Sequence, residues 1–130
     1  MTVFTEAELN YLRSERLLGR LATVGPDGMP HIAPVGWRLD RDGETIVITG
    51  RDFAATRKFR DVANTGRAAI VIDDVLPPWQ PRGIEVRGRA EAIEGPEPQV
   101  RIRPTRIVSW GLDGGRTART IRATPTPARP

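Results

Sequence analysis

The sequence predicts a mainly β protein: a small antiparallel barrel of six short strands with two short helices. Three features of the 130 residues carry that expectation. Short stretches alternate apolar and polar residues with the period of a half-buried strand. Gly, Pro and Asp pairs punctuate those stretches at the spacing of hairpin turns. Only two stretches read as helical, and both are short. Strands in series with little helix favour a closed antiparallel sheet.

The chain opens with Thr5-Glu6-Ala7-Glu8, the Thr-x-x-Glu form of a capping box, followed by Leu9, Leu12, Leu17 and Leu18. A helix is expected over residues 5–16. Strands follow at 18–24 and 30–39, joined by the turn sequence Gly25-Pro26-Asp27-Gly28. The Asp42-Gly43 pair turns the chain into a third strand at 44–49, which completes a meander. Within the second strand, Pro34 cannot donate to a ladder and Gly36 packs nothing, which suggests an edge position or a bulge. A flat ring lying against the backbone would equally require small residues there.

Residues 48–61, Ile-Thr-Gly-Arg-Asp-Phe-Ala-Ala-Thr-Arg-Lys-Phe-Arg-Asp, read as a strand end, a glycine turn and a second helix over 52–63 capped by Asp52. Arg57, Lys58 and Arg60 crowd the start of that helix, and Lys58 is the single lysine beside nineteen arginines. Cations are unfavourable at a helix start, which already carries partial positive charge. A bound phosphate reverses that sign by using the cations and the free amides together. The bland alternative is a solvated helix face with Arg57 paired to Asp61 at i,i+4.

A buried strand is expected at 67–73, then a proline-rich loop at 74–81 containing Trp79. Residues 83–93 give the cleanest alternation, with Ile84, Val86, Gly88 and Ala90 on one face and Glu85, Arg87, Arg89 and Glu91 on the other. Residues 99–110 read as a last strand, or a strand pair, interrupted at Pro104. The barrel domain is accordingly placed at 1–113. Residues 114–130, rich in Arg, Pro and Thr with one Ile, lack the apolar content to order themselves and read as a flexible tail.

The composition narrows the chemistry. Without cysteine there is no thiol nucleophile or thiolate metal site, and a single histidine argues against a zinc or haem centre. No apolar run is long enough for a bilayer, and no signal pattern opens the chain, so the expectation is a soluble cytoplasmic protein. The net charge of +4 is uneven, with −2 over residues 1–100 and +6 over 101–130. The basic end could meet an anion, but no aromatic platform or recognition helix accompanies it, so nucleic acid is not the expected partner. No acid–base dyad or nucleophile–base pair is visible. A barrel this short leaves edges and apolar surface for a two-fold partner.

The ordered motifs resemble the pyridoxamine 5′-phosphate oxidase-like split-barrel superfamily, and within it the actinobacterial class that uses coenzyme F420. The likeness rests on Leu21-Ala22-Thr23-Val24 with Asp27-Gly28-x-Pro30, on Ile48-Thr49-Gly50, on Thr56-Arg57-Lys58, and on residues 82–91 ending Val86-Arg87-Gly88-Arg89-Ala90-Glu91. The resemblance implies an FMN-binding type of split barrel, working as a homodimer with the cofactor at the subunit interface. It implies that Thr56, Arg57 and Lys58 hold the cofactor phosphate. Ala33, Pro34, Val35 and Gly36 would run along the ring, and Ile48, Thr49 and Gly50 would support it. The segment containing Trp79, Arg82 and Gly83 would come from the partner chain. The implied function is an F420-dependent oxidoreductase passing a hydride to a small conjugated acceptor. The alternatives are an FMN-dependent enzyme of the same fold, or a flavin or haem carrier without turnover. The Arg-x-His of true pyridoxamine 5′-phosphate oxidases has no counterpart near the C-terminus, which sets that oxidase activity apart. His31 reads as a half-exposed strand residue rather than a base.

Overall fold

A computed structural model describes residues 2–14, 17–113 and 115–122. Helix α1 (Glu6–Ser14) precedes strands β1 (Gly19–Val24), β2 (Pro30–Leu39) and β3 (Ile46–Thr49). A 3₁₀ turn at Phe53–Ala55 leads into α2 (Arg57–Thr65). Strands β4 (Arg67–Leu76), β5 (Gln80–Ile93), β6 (Gln99–Leu112) and β7 (Gly115–Thr120) complete the chain. Every pairing is antiparallel, in the order β3-β2-β1-β4-β5-β6-β7, and β3 also pairs with β6. That last contact closes six strands into the split barrel, with β7 added outside the ring.

Local chemistry starts α1 as the capping box requires. Thr5 N donates to Glu8 Oε1 at 2.9 Å, and Glu8 N donates to Thr5 Oγ1 at 3.2 Å. Tyr11 and Leu12 then face the barrel and are buried.

Three expectations about boundaries change. Asp52 does not cap the second helix: it takes a left-handed conformation (φ 48°) without a side-chain cap bond, and Thr56 is the cap. Thr56 Oγ1 accepts from Phe59 N at 3.3 Å. The intervening turn lets Phe53 reach the core and meet Phe59 edge-on, with ring centroids 5.7 Å apart. The loop expected at 74–81 is a hairpin in which β4 continues to Leu76 and β5 resumes at Gln80. Strand β6 runs through Pro104 unbroken, because the register shift at Arg87/Gly88 on β5 absorbs the irregularity opposite it.

The expected flexible tail also needs correction over part of its length. Residues 115–120 are β7, paired to the second half of β6 from Arg106↔Thr120 to Leu112↔Gly115. A composition argument tests for burial, whereas an added edge strand is held chiefly by its ladder and needs little core. Of the rest of that segment, residues 114 and 123–130 lie outside the described residues.

Pro34 is accommodated without β2 being an edge strand. β2 pairs with β1 over Pro30–Val35 and with β3 only from Gly36 onward. Pro34 thus sits where one side of the strand has no ladder to disturb.

The core lies inside the barrel. Leu21, Ile46, Ile48, Ile70, Ile72, Ile84, Val86, Val100, Ile102 and Ile107 are essentially inaccessible. α2 closes one end with Phe59 and Val62, and Gly66 (φ 70°) ends it in the left-handed region that glycine tolerates. Gly66 O accepts from Ala90 N at 2.8 Å, which docks that end of α2 on β5. Among the described residues, no helix is long and apolar enough to cross a membrane.

Candidate functional site

The start of α2 meets β1 and β2 in a cleft of about 460 Å³ lined by Leu21, Thr23, His31, Ile32, Ala33, Arg57 and Lys58. Arg57 is exposed and Lys58 half-buried. Neither forms an ion pair with a carboxylate among the described residues. The i,i+4 partner expected for Arg57 is occupied elsewhere, since Asp61 turns inward. Lys58 Nζ instead lies 5.9 Å from the centroid of the Phe53 ring. With Thr56 Oγ1 serving Phe59 N, and Arg60 N bonded to Thr56 O, the amides of Arg57 and Lys58 are the orphan donors of this helix start. Two cations and two amides at one helix N-terminus make a cradle for an anion. The Thr56 hydroxyl is less available than its neighbours, because it also donates to Phe53 O at 2.6 Å.

Behind the cleft stands a polar cluster that sequence reasoning missed. Asp61 is 3% exposed and takes two donors on Oδ2: Thr23 Oγ1 at 2.7 Å and His31 Nδ1 at 2.8 Å. Burial pushes the Asp61 carboxyl up, but the bonds from His31 and Thr23, with the charge of Arg57, outweigh it and hold it below the usual range. His31 Nε2 lies 3.4 Å from Arg57 Nη1. A second hollow, about 470 Å³ and lined in part by Asp27, Arg60, Asp61 and Asn64, adjoins the same His31 and Arg57. No signal local to the sequence joins residues 31 and 61, since only barrel closure brings β2 beside α2.

The other expected site residues divide into three groups. On β2, Ala33 is half-buried and Val35 buried, while Pro34 and Gly36 face outward. A Cβ on Gly36 would meet nothing within 4 Å, so no packing among the described residues accounts for that glycine. On β3, Ile48 is a core residue whose side chain points inward, whereas Thr49 and Gly50 are exposed. The register Gly36↔Thr49 places these small residues side by side.

Trp79 sits in the β4–β5 turn and Arg82 and Gly83 near the start of β5, away from α2. Along β5 the eight steps from Arg82 to Ala90 span about 26 Å of extended strand. Trp79 is 76% exposed. Arg82 is engaged within the subunit: its Nε donates to Asp74 Oδ1 at 2.8 Å and an Nη to Oδ2 at 3.0 Å. Its guanidinium also lies 5.0 Å from the centroid of Tyr11, whose hydroxyl donates to Asp74 at 2.7 Å. Burial and the Asp74 carboxylate push the Tyr11 hydroxyl well above its ordinary range. Gly83 is needed for packing, because a Cβ there would lie 2.6 Å from Asp73 Cβ and 2.8 Å from the Trp110 ring. One subunit therefore carries two separated parts of the expected site.

Residues 5–125 match the family model described as pyridoxamine 5′-phosphate oxidase. The chain belongs to that family. Among curated relatives, it is 43% identical over 122 residues to a 5a,11a-dehydrotetracycline/5a,11a-dehydrooxytetracycline reductase of Streptomyces rimosus subsp. rimosus, covering 85% of each chain. Solved structures of the same split-barrel fold include a heme binding protein from Mycobacterium smegmatis, with a TM-score of 0.67 and 18% identity. That match covers 88% of this chain but spans only 57% of the mycobacterial one. An F420 reductase matches with a TM-score of 0.59 and 23% identity, over 75% of this chain and 94% of the other. Membership of the pyridoxamine 5′-phosphate oxidase family and likeness to a reductase make the chain an oxidoreductase in its general class.

Proposed function

We propose that this oxidoreductase uses coenzyme F420, passing a hydride between the deazaflavin ring and a small conjugated organic acceptor. Two copies of the chain enclose the cofactor between them. The observation that carries this reading is the cradle at the start of α2, where Arg57, Lys58 and two amides have no carboxylate partner among the described residues. The residues fit the group in a second respect. The missing Cβ of Gly36 opens on empty space, as a strand bordering a flat ring requires.

When bound, the deazaflavin supplies the hydride chemistry, and the protein's contribution is binding, orientation and exclusion of water. Arg57 and Lys58 would take the phosphate. The outward face of Ala33–Gly36 and the exposed backbone at Thr49 and Gly50 would border the ring. The segment bearing Trp79, Arg82 and Gly83, being remote from its own α2, would serve the partner's pocket. With Arg82 engaged by Asp74, a groove for an acidic cofactor tail falls to Arg51 and Arg60, both exposed near α2. The acceptor class is supported by the name of the Streptomyces relative, which gives dehydrotetracyclines as that protein's substrates.

The test is a fluorescence titration of the purified protein with F420 and, separately, with FMN at fixed salt. Oxidation of reduced F420 is then followed with conjugated cyclic enones and quinones. Binding of F420 with turnover is the expected result. Preference for FMN would move the chain to the flavin-dependent branch, and binding without turnover with any acceptor would make it a carrier.

A further inference from the structure

His31 lies on the wall shared by the two hollows beside α2, and nothing in the proposed hydride transfer uses it. Three residues build its seat. Asp61 Oδ2 holds Nδ1 from behind, and Thr23 fixes that carboxylate by donating to the same oxygen. In front of the ring, Gly25 clears the space: a Cβ there would lie 2.7 Å from His31 Cε1. An ionised carboxylate only accepts, so Nδ1 carries the hydrogen and the lone pair of a neutral ring is left on Nε2. That lone pair faces Arg57 Nη1 at 3.4 Å, a long contact for a guanidinium donor.

The geometry points to His31 as a third arm of the anion site, held by Asp61 so that Nε2 takes a proton and donates to the phosphate when the anion is bound. This rests on the reading that the α2 cradle holds a phosphate. The charges facing the ring set the direction. Arg57, Lys58 and Arg60 on α2 oppose a proton on Nε2. Asp61 on α2 and Asp27 in the β1–β2 turn favour one. Without an anion, Nε2 faces the Arg57 guanidinium. A phosphate that draws Arg57 into its own coordination places a negative oxygen in the same space, and the balance turns toward the imidazolium. Binding then takes up one proton from solvent, and no other bond changes. Asp61 is the positioning residue, and His31 is the one that touches the ligand.

The linkage has a definite sign. A proton gained on binding makes affinity highest at low pH and lets it fall as pH rises through neutrality, by up to about tenfold per pH unit for one proton. The chain has a single histidine, so its ring ¹⁵N signals are unambiguous. The experiment is NMR of ¹⁵N-labelled protein at pH 7.5 with and without saturating F420, together with F420 affinity across pH 6–8.5. The affinity series is run for the wild type, His31→Gln and Lys58→Ala. Wild-type His31 is expected to pass from the neutral Nδ1–H form to imidazolium on saturation. His31→Gln should lose the pH slope that the wild type shows beyond the ligand's own titration. Lys58→Ala should bind more weakly at every pH and keep the slope. Asp61→Asn should leave a mixture of ring tautomers that the wild type lacks. A ring that stays neutral in the saturated complex, or an unchanged slope in His31→Gln, overturns the assignment while leaving the phosphate cradle intact. Unchanged affinity in Lys58→Ala sinks the cradle itself, and the role of His31 with it.

Discussion

Arg119 on the outermost strand donates from both Nη atoms to the carboxylate of Glu8 on the first helix, 111 residues earlier in the chain. It also reaches Val3 O at 2.7 Å. Glu8 is 1% exposed, so the pair ties β7 and the N-terminal segment to one buried charge. Arg119→Ala strips that carboxylate of its main counter-charge. The expected cost is about 3 kcal/mol, in the range for breaking a buried pair by removing one partner, and urea unfolding measures it. Burial pushes the Glu8 carboxyl up, but the bonds from Arg119, Thr5 and Ser109 more than offset this and leave it lowered. A lowered folded-state value contributes stability that is complete above the unfolded value and lost as pH falls through the folded one. Acid unfolding of the wild type should therefore be partly a Glu8 transition, and in Arg119→Ala that part should begin at higher pH.

Gly88 marks the point where the longest hairpin changes register. A Cβ there would run into the backbone oxygen of Arg103, with Ile102 Cγ2 3.2 Å away. The two nearest atoms are Arg103 backbone held in the β5–β6 ladder, which cannot swing aside as a long side chain could. Gly88→Ala is expected to destabilise by about 3 kcal/mol, the upper end for forcing atoms into a packed interior, and thermal unfolding tests it. Gly36→Ala is the control. Its Cβ meets nothing among the described residues, so stability should hold while cofactor affinity falls.

Lys58→Ala removes one of two cations from the α2 cradle and leaves the helix cap untouched, because Thr56 provides the cap. F420 affinity should drop by roughly 1.5–3 kcal/mol, as for a hydrogen bond to a charged group. Fluorescence titration at fixed salt reads it.

Much of this architecture was legible because its determinants are local. The Thr5–Glu8 box, the meander over residues 18–49 and the alternation of residues 83–93 each depend on neighbours within a few positions. The start of α2 was misread by one turn, since Asp52 and Thr56 are equally good capping residues and only the placement of Phe53 decides between them. β7 was illegible for a different reason. Its ladder exists because β6 outruns its pairing with β3, and no composition records that. The same holds at the site: Arg57 and Lys58 announce themselves as adjacent unlike-to-place charges, whereas Asp61 and His31 acquire meaning only through a contact across thirty residues.

The distance along β5 between the Trp79 turn and α2 has a genetic consequence. In the proposed two-fold assembly each pocket draws its cations from one protomer and its closing segment from the other. A Lys58→Ala protomer joined to a Trp79→Ala protomer then concentrates both lesions in one pocket and leaves its sibling whole. Co-refolding two such weakened variants should restore about one unaltered, tight-binding pocket in four, a complementation that neither achieves alone.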